Sequence, residues 1–305
     1  ESEDAACLKL YDGHDWKWFR AGLLHTDMEY LRRHWSGKKS SAPVLEKRHQ
    51  KYFLRFSYTE EVTLSKTPVK DQLICSVDLG INTDAVCSIM RSDGTVLDRK
   101  FINFPSEKDR LSHVLGRIRR FQKEHGSKQI GSRWAYAKRL NTELARKTAR
   151  SITEYAHENH ADVIVFEYLE MQGKISGKKR QKLHLWKKRE IQTMCEHKAH
   201  RYGIRVSRVC AWNTSRLAYD GSGPVSRDPK NHSLCVFQSG KQYNCDLSAS
   251  YNIGARYWIR EIIKTLPETE RSSLEAKVPA VKRRTSCVYA DLLILQNEYG
   301  CSKAA

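Results

Sequence analysis

No apolar run in this chain is long enough to cross a bilayer and no signal peptide is seen, so a membrane span is not expected. No glycine-rich phosphate loop is present, which argues against a nucleotide-hydrolysing motor. No internal repeat suggests a stacked array. Regular cysteine pairs are missing as well. The nine cysteines are odd in number and irregular in spacing, and Cys75 and Cys87 sit in apolar strand-like runs. That usage suits a reduced, cytoplasmic compartment rather than a disulfide scaffold. Ser215 and Ser248 have no neighbouring base in the sequence, so serine nucleophile chemistry finds little support. Acid is the scarce charge: 35 Asp and Glu stand against 54 Lys and Arg, a net charge of +19.

The positive charge is concentrated. Residues 110–150 hold twelve Lys/Arg against two Glu, and residues 171–190 hold eight against one. Neutralising a phosphate backbone needs local density of this kind, so a nucleic acid is the expected partner. The chain has 305 residues and 40% hydrophobic content, enough for one large core or two modest domains. It begins Glu-Ser-Glu-Asp without Met and is aromatic from Trp16-Lys17-Trp18-Phe19, as a piece cut from a longer protein would be.

Three short stretches place a carboxylate with care. Ile74-Cys75-Ser76-Val77-Asp78 and Val163-Ile164-Val165-Phe166-Glu167 each end a run of strand formers in an acid, and Asn244-Cys245-Asp246-Leu247 sets one at the mouth of a helix. Breaking a buried ion pair costs about 3–5 kcal/mol, so a carboxylate inside such a run calls for a partner. Each acid also has a plainer reading. Asp78 could mark a strand-end turn, Glu167 a strand emerging into solvent, and Asp246 an N-cap. Taken together, two Asp and one Glu from separate elements can hold a pair of Mg²⁺ ions for phosphodiester hydrolysis. Asp78 would bridge both ions, with Glu167 and Asp246 each completing one shell. The expected products carry a 5′ phosphate and a 3′ hydroxyl. His197 and His200, at i, i+3 on an expected helix, read as surface residues rather than metal ligands.

The periodicities give an order of elements. Residues 1–70 read as small β structure with loops. Strands are expected near 72–78, 85–90 and 95–97, with a hairpin turn at Asp93-Gly94. Helices follow over 109–124 and 136–158, then a strand over 162–168. The segment Gly173–Arg180 reads as a loop, followed by a helix over 184–202 and a strand over 204–209. Residues 212–244 suggest turns and short strands. A long helix runs from Asp246, and 266–305 forms a tail with one short amphipathic piece around Tyr289–Leu295. Strand-strand-strand-helix-strand, with acids on the first and fourth strands, is the order of a ribonuclease H-like α/β fold, a mixed sheet flanked by helices.

The motifs SVDLGINTDAV, VIVFEYLE and NCDLSASYNIGARY resemble the three RuvC motifs of the TnpB transposon-encoded nucleases, relatives of the type V CRISPR effectors. The resemblance covers about residues 48–265, and Asp78, Glu167 and Asp246 match in order. It implies an RNA-guided DNA endonuclease with guide RNA and target DNA as partners, working in the cytoplasm of a prokaryote beside the nucleoid. The implied domains are a partial wedge-like β segment (1–70), the RuvC nuclease (71–211 and 245–265), an inserted target-nucleic-acid-binding segment (212–244) and the tail (266–305). Trp212-Asn213-Thr214-Ser215-Arg216 resembles the stretch before the family's zinc ribbon. Ala218 and Gly221 occupy its first cysteine pair, however, and Gln238-Ser239-Gly240 follows Cys235 where a second pair would stand. Four thiolates are needed to close such a site, so a ribbon-like insertion without zinc is expected. The guide-recognition helices of the family are absent before residue 70, which a homodimer or a second chain could supply. Arg117, Arg120 and Lys123, with Lys178, Lys179 and Arg180, are the expected backbone contacts. Trp134, Tyr136 and Trp186 are candidate stacking residues, with core packing as their plainer role. A nuclease-inactive guided repressor and a guide-independent structure-selective nuclease are the alternatives.

Overall fold

The computed structural model describes residues 4–48, 50–126, 130–168, 185–228, 231, 233–283 and 285–304. The chain forms two compact units, Glu1–Val62 and Thr63–Ala305.

In the first unit, β1 (Ala5–Tyr11) and β2 (Trp16–Gly22) form an antiparallel hairpin that pairs Lys9 with Trp18 and Tyr11 with Trp16. Helix α1 (His25–Trp35) follows. β3 (Lys39–Ser40) pairs with β6 (Tyr58–Thr59), and β4 (Val44–Arg48) with β5 (Lys51–Arg55). The expectation of β structure and loops alone missed α1. Its half-exposed stripe is only Met28, Leu31 and Trp35, too short to stand out as a helical period. No described residue of this unit is buried.

The second unit is a mixed α/β layer structure. Its five-stranded sheet has the order β11-β10-β7-β8-β9, from β7 (Leu73–Leu79), β8 (Ala85–Arg91), β9 (Val96–Ile102), β10 (Val163–Tyr168) and β11 (Arg205–Cys210). β7, β8 and β9 are antiparallel neighbours, whereas β10 runs parallel to both β7 and β11. β7 and β10 are covered on both faces, which is why they read as continuous apolar runs rather than alternating ones. Asp162, just before β10, accepts from Ser65, Thr67 and the Leu73 amide, tying the lead-in of β7 to that of β10.

One face of the sheet packs on helices α3 (Gly131–Glu158) and α4 (Lys188–Arg201). Small residues such as Ala145, Ala149 and Ala199 let the helices approach Cys75, Val77, Ile164 and Phe166. Helix α2 (Pro105–His125) buries Leu111, Leu115 and Ile118 against α3, continuing the expected stripe. The other face packs on α5 (Cys245–Thr265), almost wholly buried through Trp258 and Ile259. A Cβ on Gly254 would stand 3.0 Å from Met90, so glycine allows α5 to lie close on the sheet.

Residues 266–305 are not a tail. Helices α6 (Glu268–Lys277), α7 (Pro279–Lys282) and α8 (Tyr289–Ala304) bury Leu274, Val281, Leu292 and Leu295 in the α5 core. Proline at 267 and 279 divides the segment into pieces too short to show a clear period. The Asp93-Gly94 turn receives α8: Gly94 has φ +91°, and its carbonyl accepts from Tyr289 Oη at 2.7 Å. Between β11 and α5, strands β12 (Ser226–Arg227), β13 (Leu234–Val236) and β14 (Gln242–Asn244) form a small antiparallel sheet. Its core is Ala218, Cys235, Phe237 and Cys245, with Tyr219 and Tyr243 packed against it. Among the described residues, no helix is long and apolar enough to cross a membrane.

Candidate active site

The parallel register of β7 and β10 sets Val163 beside Ile74 and Phe166 beside Val77. One residue further along, Glu167 comes level with Asp78. Residues level on neighbouring parallel strands share a face, and the strands lie about 4.8 Å apart. The face is the one toward α5, since Asp78 is also level with Val86 of the α5 core. Helix α5 brings the third acid. Its N-cap is Asn244, whose Oδ1 accepts from the Leu247 amide at 2.9 Å. Asp246 is therefore not the cap, and the nearby Thr83 side chain draws its carboxyl down.

The electrostatics register this convergence. Asp78 is 8% exposed and Glu167 7% exposed, and Asp246 is half-buried. Burial pushes the Asp78 carboxyl well above the usual range, and the nearby charges of Glu167 and Asp246 push it further, against the pull of Arg227. Burial raises Glu167 too, opposed by the Thr214 hydroxyl and by Arg256 and Lys188. Asp246 is raised by burial, with Thr83 and Arg227 opposing. Three acids thus share one partly desolvated place and repel one another. A hard divalent cation relieves such repulsion, and the carboxylate set offers oxygen ligands, which suits Mg²⁺. Among the described residues, however, no group of three His, Cys, Asp or Glu side chains already stands in a cage that could hold a metal ion. Glu167 is engaged by Thr214 Oγ1.

Several residues that frame the acids were missed in the sequence. Thr214 follows Asn213, which adopts φ +61° in the left-handed region that asparagine tolerates. Asn252 on α5 donates to the carbonyls of Thr214 and Leu217, both at 2.9 Å. Arg256, one turn on, donates to the carbonyls of Cys210, Trp212 and Cys287. Together they pin residues 210–217 so that Thr214 meets Glu167. Gln192 of α4 holds the Glu167 carbonyl at 2.8 Å. The sequence signal was there: a polar pair at i, i+4 inside the otherwise apolar face of α5. Arg227 could not have been found this way, because it reaches the acids only through the fold of the small sheet.

Arg117, Arg120 and Lys123 are exposed on α2, with no hydrogen-bond or ion-pair partner among the described residues. Lys178, Lys179 and Arg180 lie outside the described residues. Trp134 packs against the α2–α3 core, and Tyr136 Oη accepts from Arg110 at 2.7 Å. His197 is exposed and His200 half-buried on α4.

Residues 189–253 match the model of the Cas12f1-like TNB domain family. The chain is 25% identical over 246 residues to the TnpB-like protein aq_aa05 of Aquifex aeolicus (strain VF5), covering 73% of this chain and 79% of that protein. Among solved structures, the mini-RNA-guided endonuclease CRISPR-Cas_phi3 matches with a TM-score of 0.52 at 14% identity, over 82% of this chain and 57% of that one. A Cas12f1–sgRNA–target DNA complex matches with a TM-score of 0.46 at 20% identity, over 68% and 54%. The structural likeness concerns the fold, and the chain spans about half the length of these solved effectors.

Proposed function

We propose that this chain is a member of the TnpB and type V CRISPR effector family and carries the nuclease portion of an RNA-guided DNA endonuclease. In this reading the five-stranded sheet with α3, α4 and α5 is a RuvC-type, ribonuclease H-like domain. Residues 212–244 form its inserted target-binding segment, and residues 1–70 a wedge-like part. Guide RNA and target DNA are the partners that membership implies. The observation that carries the reading is the register that levels Glu167 with Asp78 on the face where α5 presents Asp246.

Asp78, Glu167 and Asp246 would hold two Mg²⁺ ions. Such a pair activates a water and stabilises the departing 3′ oxygen. The other roles belong to the chain itself. Thr214 fixes the orientation of Glu167, as an outer partner of a metal ligand does. The charge of Arg227 draws the Asp78 and Asp246 carboxyls down, while its guanidinium donates to the Ser215 carbonyl at 3.1 Å. Arg117, Arg120 and Lys123 give α2 a cationic flank for the nucleic-acid backbone.

The test is cleavage of labelled DNA with Mg²⁺, alongside sequencing of RNA that copurifies with the protein. Asp78→Ala is expected to abolish cleavage, whereas Thr214→Val should cost roughly 10–100-fold, the usual size for an outer partner. Full activity in Asp78→Ala would refute the site. Cleavage with no bound RNA would retain the nuclease and remove the guide.

A further inference from the structure

A concavity lies outside the carboxylate cluster. A cleft of about 290 Å³ opens between α2, α3 and the lead-in of α4. Leu111 and Leu115 of α2, Leu144 of α3 and Ile191 of α4 make it aliphatic, and the indole of Trp186 forms one wall. Its polar groups are mostly occupied. Lys108 pairs with Asp84 at 3.1 Å, and Lys187 is held by Thr142 and Glu190. Two are not. Trp186 Nε1 is buried with no acceptor among the described residues. Arg119, one turn beyond Leu115 on the same stripe of α2, is exposed and has no hydrogen-bond or ion-pair partner among them.

The cleft and the acids share their supports. Thr83, in the turn from Gly80 to Asp84, draws the Asp246 carboxyl down, while Gly80, Ile81 and Asp84 line the cleft. That turn is tight: a Cβ on Gly80 would lie 2.5 Å from the Thr83 carbonyl oxygen. On α4, Gln192 holds the Glu167 carbonyl and its neighbour Ile191 lines the cleft. The turn over residues 80–84 and helix α4 thus serve both places.

The vacant groups define the ligand. The apolar walls want a flat, weakly hydrated body, the indole N–H wants an acceptor, and the guanidinium at the rim wants an anion. A hydrocarbon would satisfy only the first. Inorganic phosphate would satisfy only the last, and would sit on aliphatic walls. A nucleotide supplies all three, with its base inside and its phosphate at Arg119, and the volume suits one base with part of its sugar. We propose that this cleft takes one base of a single-stranded nucleic acid, with Arg119 holding the adjoining phosphate. That this strand also lies across the acids rests on the nuclease reading above.

The experiment uses the full chain in Mg²⁺-free buffer and short single-stranded DNAs, each with one abasic position moved stepwise along the strand. One position is expected to weaken binding roughly tenfold, about the size of one base contact. Leu144→Trp, which fills the cleft from a half-exposed position, should flatten this profile while the intact strand binds about as the weakest abasic one does. Arg119→Ala should weaken every strand and lower the salt slope by roughly 0.7. If Leu144→Trp fails to fold, Trp186→Phe, which lacks the indole N–H, should still diminish the sensitive position. Equal affinity for all abasic strands would overturn the pocket, whatever the cleavage result. A sensitive position in a protein that cuts nothing would retain the pocket and sink the nuclease reading.

Discussion

The two units of this chain use the same residue types under opposite rules. In Glu1–Val62, Trp16 is 59% exposed and Trp18 69%, and its ion pairs, such as Asp4–Arg32 and Asp12–Lys17, lie in solvent. In Thr63–Ala305, Trp258 is fully buried, and charged groups are buried too: Arg256, Asp78 and Glu167. Exposed polar pairs are inexpensive to make and to lose. Buried ones are expensive, so each must be held or be put to use. The difference shows where to look for chemistry: in the second unit, the charged groups inside the fold surround the acids.

The sharpest test of this contrast compares two tryptophans. Trp258→Ala should cost about 3–5 kcal/mol, since it empties the α5 core. Trp18→Ala should change stability by less than about 0.5 kcal/mol, as expected at an exposed position. Urea denaturation of both variants measures the pair. Equal losses would mean that the hairpin face is covered by something in solution.

The same contrast explains what could be read from the sequence. β7 and β10 were legible because burial on both faces leaves no alternation, and their acids stood out against an apolar run. Helix α1 was not, because a helix that buries nothing carries only a faint stripe. α6 to α8 were not, because their apolar residues answer to α5 and to the Gly94 turn, far away in the chain. Thr214, Thr83 and Arg227 follow the same logic. A hydroxyl or guanidinium that serves a remote carboxylate looks, in sequence, like any loop residue. The acids could be ordered from motifs, but their level placement depends on the β7–β10 register.

A smaller effect is expected from the polar counterpart. Arg256→Met keeps the bulk of the side chain but leaves the carbonyls of Cys210, Trp212 and Cys287 without their donor. A buried group left unsatisfied costs about 1–3 kcal/mol, so the loss should fall near that range. Because residues 210–217 would loosen, cleavage should drop along with stability. Arg32→Ala, which breaks an exposed pair, should leave the melting temperature nearly where it was. Thermal melts and a cleavage assay on both variants check this. Loss of stability without loss of cleavage would mean that Thr214 does not depend on Arg256 for its position.

The smallest expected effect is also opposite in sign, and it concerns two aspartates. Asp12, hydrogen-bonded by Lys17 in solvent, is drawn down to about 2. Asp78, buried beside two other acids, is pushed well above the ordinary aspartate value of 3.8. For Asp12 the folded state binds the proton less readily than the unfolded chain does. Its contribution is present above pH 3.8 and is lost as the pH falls through about 2. For Asp78 the folded state holds the proton more tightly. Without metal, its contribution is present below pH 3.8 and is lost as the pH rises through the elevated folded value. Metal-free Asp78→Asn should therefore lose less stability than the wild type as the pH rises from 4 to 8. Some decline should persist, because Glu167 and Asp246 are raised by burial too. Mg²⁺ should restore stability at pH 8 in the wild type and do so less in Asp78→Asn, since a bound cation favours the ionised acid. Denaturation at several pH values, with and without Mg²⁺, separates these curves. Identical slopes for the two proteins would show that Asp78 does not bear the repulsion that its place beside Glu167 and Asp246 implies.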